Sequence, residues 1–178
     1  LGSAAGITTP AVATLDGNQN WAHFGTSVAN AGDINADGYD DIVVGFELFD
    51  GGQTDEGKIM IYHGNATGIN TIVAAQIEGN QEAGSLGYDV AAAGDVNNDG
   101  YDDIIAGAYR YNNGEVDEGA AFIFHGTSSG INTTPAIVLD NDLPVAYFGL
   151  SVRGVGDFNL DGYDDVMVGS PLFSNGSP

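Results

Sequence analysis

Three short segments of the chain each gather four aspartates and an asparagine into nine residues. They begin at Asp33, Asp95 and Asp157, which are spaced 62 residues apart, and each reads D-x-N-x-D-G-Y-D-D. Carboxylates crowded in this way repel one another unless a positive charge lies among them. The chain has 3 Lys and Arg residues against 25 Asp and Glu residues, so the spacing indicates a bound metal ion rather than ion pairs.

Alternate positions of each segment supply the predicted ligands, and the tyrosine contributes its backbone carbonyl. Oxygen ligands without histidine or cysteine favour a hard cation, and such a shell completed by water favours Ca²⁺ over Mg²⁺. We therefore predict three Ca²⁺ sites, one in each loop. The predicted ligands are Asp33, Asn35, Asp37, Tyr39 and Asp41 in the first loop, Asp95, Asn97, Asp99, Tyr101 and Asp103 in the second, and Asp157, Asn159, Asp161, Tyr163 and Asp165 in the third.

The loops have two other interpretations. An EF-hand loop needs a glutamate at its twelfth position, where this chain has Val44, Ala106 and Val168, so that interpretation fails. Turns rich in Asp, Asn and Gly also form without an ion, but three identical ligand sets in register disfavour this alternative. Whether the aspartates at the eighth position contact the metal stays open, and the favoured roles for them are support of the ligands from outside the metal shell or strand entry. They are Asp40, Asp102 and Asp164.

The composition excludes several classes of partner. A formal charge of −22 over 178 residues argues against nucleic acid and anionic membranes, because both attract basic surfaces. There is no cysteine, so disulfides and thiolate metal sites are impossible. No apolar run approaches the roughly 18 residues of a membrane span, so we expect no insertion into a membrane.

The loops belong to a longer repeat that predicts the elements around them. Residues 56–70 (EGKIMIYHGNATGIN) match residues 118–132 (EGAAFIFHGTSSGIN) at the same spacing. Within each unit, four runs rich in β-branched and aromatic residues are separated by Gly, Asn and Asp, which is typical of short strands. We predict an all-β fold of four-stranded antiparallel blades from a β-propeller. A row of separate small β-domains is the alternative, which the absence of linkers disfavours.

The repeat divides the chain into one propeller segment, 1–178. Residues 1–23 are expected to hold the last strand of a preceding blade, 24–85 and 86–147 are whole repeats, and 148–178 are a partial repeat. So few blades cannot close a ring, and open apolar faces are expected at both ends. We therefore interpret the chain as a fragment whose partners include the rest of the propeller, in missing blades or other chains.

Short motifs that flank the loops resemble the FG-GAP repeat of integrin α-chain propellers and of bacterial extracellular proteins. The Phe-Gly motif appears as Phe24-Gly25, Leu86-Gly87 and Phe148-Gly149. The Gly-Ala-Pro motif appears as Gly45-Phe46, Gly107-Ala108 and Gly169-Ser170-Pro171. Only the last copy keeps the proline. The resemblance covers almost the whole chain. It implies a seven-bladed propeller, calcium between the first two strands of a blade, a ligand-binding face opposite the calcium loops, and an extracellular location.

No spacing of residues nominates a catalytic triad or a phosphate loop, so we expect no enzyme activity in this segment. Binding residues are expected where the repeats differ, and aromatic residues and arginine are common interface anchors. Packing between adjacent blades is the alternative role for each of them. The candidates are Trp21, Phe49, Tyr109, Arg110 and Tyr111.

Two functional hypotheses follow. The favoured one is an extracellular, calcium-stabilised propeller module that serves adhesion or the recognition of a protein or glycan, with calcium in a structural role. The alternative is an accessory or catalytic propeller of a secreted enzyme, of the polysaccharide lyase or phospholipase type, whose active site lies outside this segment. A catalytic signature beside the repeats would favour the alternative.

Overall fold

A computed structural model describes residues 2–3, 6–7, 11 and 13–174. These residues form fourteen strands and no helix, which confirms the all-β prediction. Accordingly, they include no helix long and apolar enough to cross a membrane. The strands are β1 (Gly2–Ser3), β2 (Gly6–Ile7), β3 (Phe24–Gly32), β4 (Asp41–Phe46), β5 (Lys58–Tyr62), β6 (Gly64–Asn65), β7 (Gly68–Ile69), β8 (Ala75–Glu78), β9 (Asp89–Gly94), β10 (Asp103–Ala108), β11 (Ala120–Phe124), β12 (Ile137–Leu139), β13 (Ser151–Gly156) and β14 (Asp165–Gly169).

Each whole repeat forms one four-stranded antiparallel sheet, as predicted. Blade 1 has the order β3-β4-β5-β8, blade 2 has the order β9-β10-β11-β12, and blade 3 consists of β13 and β14. Neighbours in a sheet are also successive strands of the chain, except that the small hairpin β6–β7 lies between β5 and β8. This up-and-down order is that of propeller blades.

The second strand of each whole blade is buried on both faces, in blade 2 by a blade on either side, and in blade 1 by blade 2 and the segment around Leu15. In β10, Ile104 packs towards blade 1 and the next residue, Ile105, packs towards blade 3. Both are fully buried. Side chains alternate between the faces of a strand, so a continuous apolar run is what a strand between two neighbours requires.

The main core lies between blades 1 and 2. Strands β4 and β5 contribute Val43, Ile59 and Ile61 to it, and blade 2 contributes Ile104 and Phe124. A second cluster joins blades 2 and 3 and includes Ile123 and Val152. The cores lie between the sheets, so each blade depends on its neighbours for burial, as stacked repeats do.

Glycines of the two repeat motifs meet where adjacent blades approach most closely. A Cβ on Gly45 would overlap the backbone carbonyl oxygen of Gly87, and one on Gly107 would overlap that of Gly149. The motif that ends one repeat therefore packs against the motif that begins the next, and a side chain at Gly45 or Gly107 would force the blades apart.

The ends of the segment differ from the sequence expectation in one respect. Residues 13–16 align with β8 but form no strand. Leu15 instead packs with Phe46 and Tyr62 on the outer face of blade 1, so that face is partly covered. On blade 3, by contrast, Met167 is 63% exposed. The repeat boundaries remain a prediction.

Candidate metal centres

Each acidic loop joins the first two strands of a blade, and all three loops fold alike. In the first loop, the Asp33 carboxylate accepts hydrogen bonds from the backbone N–H groups of Asp37 (3.0 Å) and Gly38 (2.8 Å). The Asn35 Oδ1 accepts from the same Asp37 N–H at 2.9 Å. The equivalent bonds in the second and third loops are 2.8–3.0 Å long. With Asp37, whose Oδ1 accepts from the Tyr39 N–H at 3.0 Å, three side chains turn their oxygens back onto their own loop.

The loop backbone contains two residues with positive φ angles. Gly38 at the sixth position has a φ of 91°, and glycine adopts this conformation without steric cost. The fourth position is also left-handed although it is not glycine, with φ values of 55° at Ala36 and 62° at Leu160. Such a conformation costs an L-residue about 1–2 kcal/mol, so the loop curls tightly despite a local penalty.

The aspartate at the ninth position is the most buried of the predicted ligands in the two whole blades. Asp41 and Asp103 are at most 1% exposed. The two oxygens of Asp103 accept hydrogen bonds from the backbone N–H groups of Val96 (3.0 Å) and Gly126 (2.9 Å). Burial nevertheless raises the pKa of the Asp103 carboxyl to about 6, and it also raises the pKa of Asp41. A nearby cation would stabilise these buried charges.

The aspartate at the eighth position joins neighbouring blades. The Asp102 carboxylate of blade 2 accepts a hydrogen bond from the Asp33 backbone N–H in the loop of blade 1 at 2.7 Å, while the Asp102 N–H donates to the Asp33 carbonyl at 3.3 Å. Asp164 and Asp95 repeat this pair between blades 3 and 2. We call each reciprocal pair an inter-blade clasp. Asp40, at the same position of blade 1, accepts instead from Asn30 Nδ2 within its own blade.

The donor chemistry of the loops fits a hard cation. All predicted ligand atoms are oxygens, and none of these loop carboxylates forms an ion pair with lysine or arginine in the part of the chain that the structure describes. The three predicted carboxylate ligands of a loop do not, however, bring oxygens to within 4.8 Å of one another. Among the described residues one group meets that condition, formed by Glu118, Asp140 and Asp142 in blade 2.

The candidate binding residues divide into packed and exposed side chains. Phe49 lies 5.2 Å from the Phe46 ring and beneath the Lys58 ammonium, and Tyr111 packs edge-on against Phe122. Both therefore have a packing role in their own blade. Trp21, by contrast, is 88% exposed with a φ of 66°.

A row of three tyrosines contains the remaining aromatic candidate. Tyr109 lies between Tyr88 and Tyr147, with ring centroids 4.5 and 5.6 Å away. The exposed Arg110 guanidinium lies 5.8 Å from the Tyr109 ring. Tyr88 is not among the residues that the sequence nominates for binding. Its position just after the Leu86-Gly87 motif, beside the variable connections, is the signal that could have identified it as part of this row.

The loops and the candidate binding residues occupy opposite ends of the blades. Strand β4 starts at the acidic loop and ends at Phe46, where the connection to β5 begins. Strand β8 runs in the same direction, so the connection that follows it also lies at the far end. We call this end, which carries the β4–β5, β10–β11 and β8–β9 connections, the far end.

Comparison with known proteins decides the family. The FG-GAP repeat profile matches residues 24–62, 86–124 and 148–177, which are the stretches that contain the acidic loops and their flanking strands. The chain belongs to the FG-GAP repeat family. This confirms the resemblance that the sequence motifs indicated.

Integrin α chains are among the similar proteins. The chain is 34% identical over 165 residues to integrin alpha-5 of Xenopus laevis, 38% identical over 157 residues to human integrin alpha-6, and 35% identical over 167 residues to mouse integrin alpha-IIb. Each match covers 88% of this FG-GAP chain but only 13–16% of the relative's length. The FG-GAP segment therefore corresponds to a small part of each relative.

Proposed function

We propose that this FG-GAP segment is an extracellular, calcium-stabilised recognition module that binds a protein or glycan ligand. The three identical acidic loops carry the proposal, because they present oxygen ligands without basic partners among the described residues. The similarity to integrin α chains supports a role in adhesion and an extracellular location. No catalytic role is proposed for the segment.

Calcium is proposed to act on the fold and not on the ligand. The loops lie at the end of the blades opposite the variable connections, and the clasps at Asp102 and Asp164 connect the first and second loops to the next blade. An ion that binds only the folded chain would stabilise it by about 2.7 kcal/mol per site at 100 times the dissociation constant. The ions would thus hold both the loops and the junctions between blades. The proposed ligands are the loop residues predicted from the sequence.

The proposed ligand-binding surface is the far end. It presents Trp21 and Arg110 to solvent, with Tyr109 beside Arg110. Trp21 shares its left-handed backbone with Ala83 and Val145 at the equivalent positions, so its exposed ring, and not its backbone, sets it apart. Aromatic residues and arginine supply much of the binding energy of protein interfaces. The glycan alternative depends on the same aromatic rings.

The rest of a propeller is the second proposed partner. Met167 on blade 3 is 63% exposed, and Phe158 and Leu160 in its loop are more than 80% exposed. In the two whole blades, by contrast, the residues of the second strand are almost all buried. Further strands and a further blade, from this or another chain, would bury this surface. An apolar face of this kind marks an interaction site.

A binding screen with matched variants tests the recognition role. Immobilised extracellular matrix proteins and a glycan array are the probes, with calcium present throughout. Trp21→Ala and Arg110→Ala should each reduce binding about tenfold or more, because hot-spot residues contribute 2 kcal/mol or more. Ile72→Ala, which removes a side chain that is 74% exposed at the opposite end, just before β8, should leave binding unchanged. Equal losses in all three variants would contradict the assignment of the far end.

A further inference from the structure

The far end of blade 2 contains a carboxylate cluster that the acidic loops do not explain. Glu118, Asp140 and Asp142 each place an oxygen within 4.8 Å of the other two. Glu118 precedes β11, and the two aspartates follow β12. Since β11 starts at the end where β10 finishes, the cluster lies at the end of the blade opposite the β9–β10 loop.

Glu118 is fully buried, and one of its oxygens has no hydrogen-bond partner. Its Oε1 accepts from the backbone N–H groups of Asn113 and Glu115, whereas Oε2 is inaccessible and unpaired. A buried carboxyl oxygen without a partner is unfavourable, and a donor or a cation beside it removes that penalty. The Asn113 side chain donates from Nδ2 to Asp140 Oδ2 at 2.7 Å, so Asn113 positions two of the three carboxylates together.

In blade 1 a lysine neighbours the counterpart of Asp140. There the Lys58 ammonium, on a side chain that is 7% exposed, lies 3.1 Å from Glu78 Oε1 and 3.3 Å from Gln76 Oε1. Glu78 is the counterpart of Asp140, and Glu56 is the counterpart of Glu118. A Cβ on Gly51 would touch both the Glu56 and the Glu78 carboxylates, so the two acids adjoin in blade 1 as well.

Blade 2 differs from blade 1 by lacking the lysine and by having one more acidic residue. Ala120 stands where blade 1 has Lys58, and Asp142 stands where blade 1 has Asn80. The formal charge of the four equivalent positions therefore changes from −1, two acids and one lysine, to −3. The other basic residues, Arg110 and Arg153, lie over Tyr109 and beside Asp89. Glu56 Oε2 is also unpaired, so the buried oxygen is common to both blades and the loss of the ammonium is particular to blade 2.

We propose that Glu118, Asp140 and Asp142 bind a hard divalent cation, with Ca²⁺ as the favoured ion, because blade 2 lacks the ammonium that pairs with the counterpart of Asp140 in blade 1. Three carboxylates without nitrogen or sulfur ligands select such a cation. Asp142 is exposed, so one side of the site is open to water, which completes the shell of the ion. This ion links the β10–β11 connection to the end of β12, at the far end where ligand recognition is proposed. The site does not depend on calcium in the acidic loops.

Bound calcium, measured after equilibrium dialysis of the full protein at fixed free Ca²⁺, tests the proposal. Asp142→Asn should bind one ion fewer per chain than the wild-type protein, whereas Glu82→Gln, which removes one exposed charge from blade 1, should bind the same number. Comparing variants with the wild type keeps the result independent of how many loops are filled. Equal calcium content in Asp142→Asn and the wild type overturns the proposal.

Transferring the lysine of blade 1 provides a second test. Ala120→Lys should place an ammonium beside Asp140, abolish the same equivalent of calcium, and raise the melting temperature in the presence of a chelator. If the lysine variant binds as much calcium as the wild type, the site does not exist. Ala120 is buried, so the exposed substitution Asp142→Asn decides the matter if the lysine variant does not fold.

Discussion

The inter-blade clasp gives the sharpest test of how the loops contribute to stability. Asp102→Ala removes the carboxylate that accepts the Asp33 N–H at 2.7 Å and leaves that donor without its partner. A hydrogen bond to a charged group contributes about 1.5–3 kcal/mol. For a chain of this size, a loss of that magnitude lowers the melting temperature by about 3–12 °C. The assay is thermal and urea unfolding followed by circular dichroism in saturating calcium.

Asp40→Ala is the matched control for this prediction. It removes the same charge from the same loop position, but the Asp40 carboxylate accepts only from the Asn30 side chain at an exposed site. We expect a loss of about 0.5–1 kcal/mol for this variant. If the two variants lose the same free energy of unfolding, the clasp contributes nothing beyond the charge of its aspartate, and the argument for coupled blades is refuted.

Three further predictions follow from the same geometry. In urea unfolding, Gly94→Ala should destabilise the fold more than Gly156→Ala. Both glycines have similar φ values (78° and 70°), but only a Cβ on Gly94 would overlap the Asp164 carboxylate. Equal losses of unfolding free energy in the two variants would contradict this. Tyr109→Ala should lower the free energy of unfolding by about 2–3 kcal/mol, because it removes two aromatic contacts. Trp21→Ala, at a side chain that is 88% exposed, should change it by less than about 0.5 kcal/mol. The reverse order would show that Trp21 is the packed residue. Elemental analysis should find one bound calcium fewer per chain in Asp37→Ala than in the wild type, and loss of every loop ion in that variant would mean that the loops do not bind independently. A chelator should lower the melting temperature of the wild type.

The sequence predicts the blades well because their determinants are local and periodic. The exact 62-residue register carries strand, loop and connection from one repeat to the next, so β3, β4 and β5 in blade 1 predict β9, β10 and β11 in blade 2. The continuous apolar run of β4 already indicates a strand covered on both faces. The acidic loops are similarly local, since all ligands predicted for one ion lie within nine residues.

Contacts between repeats are what the sequence does not reveal. Asp102 bonds to Asp33 across 69 residues, and nothing in the spacing within one repeat distinguishes it from Asp40. Similarly, Phe49 and Tyr111 fall in variable connections, yet both pack onto rings of their own blade.

The sequence does not predict the carboxylate cluster of blade 2, for a related reason. A glutamate stands at the position of Glu118 in both whole repeats, as Glu56 and Glu118, which indicates a structural role. Asp140 and Asp142 lie at the end of a different strand. Only pairing of β11 with β12 brings the three together. Comparing charges at equivalent positions of the two repeats, where Lys58 aligns with Ala120, is the signal that could have found it.

Anomalous scattering from crystals grown in calcium tests the central claim most directly. Data collected at a long wavelength should show one calcium peak within each of the three acidic loops, bounded by the side-chain oxygens of the first, third, fifth and ninth positions and the tyrosine carbonyl. Ordered water without anomalous signal in all three loops, at millimolar calcium, would contradict the account of how so many carboxylates coexist in this fold.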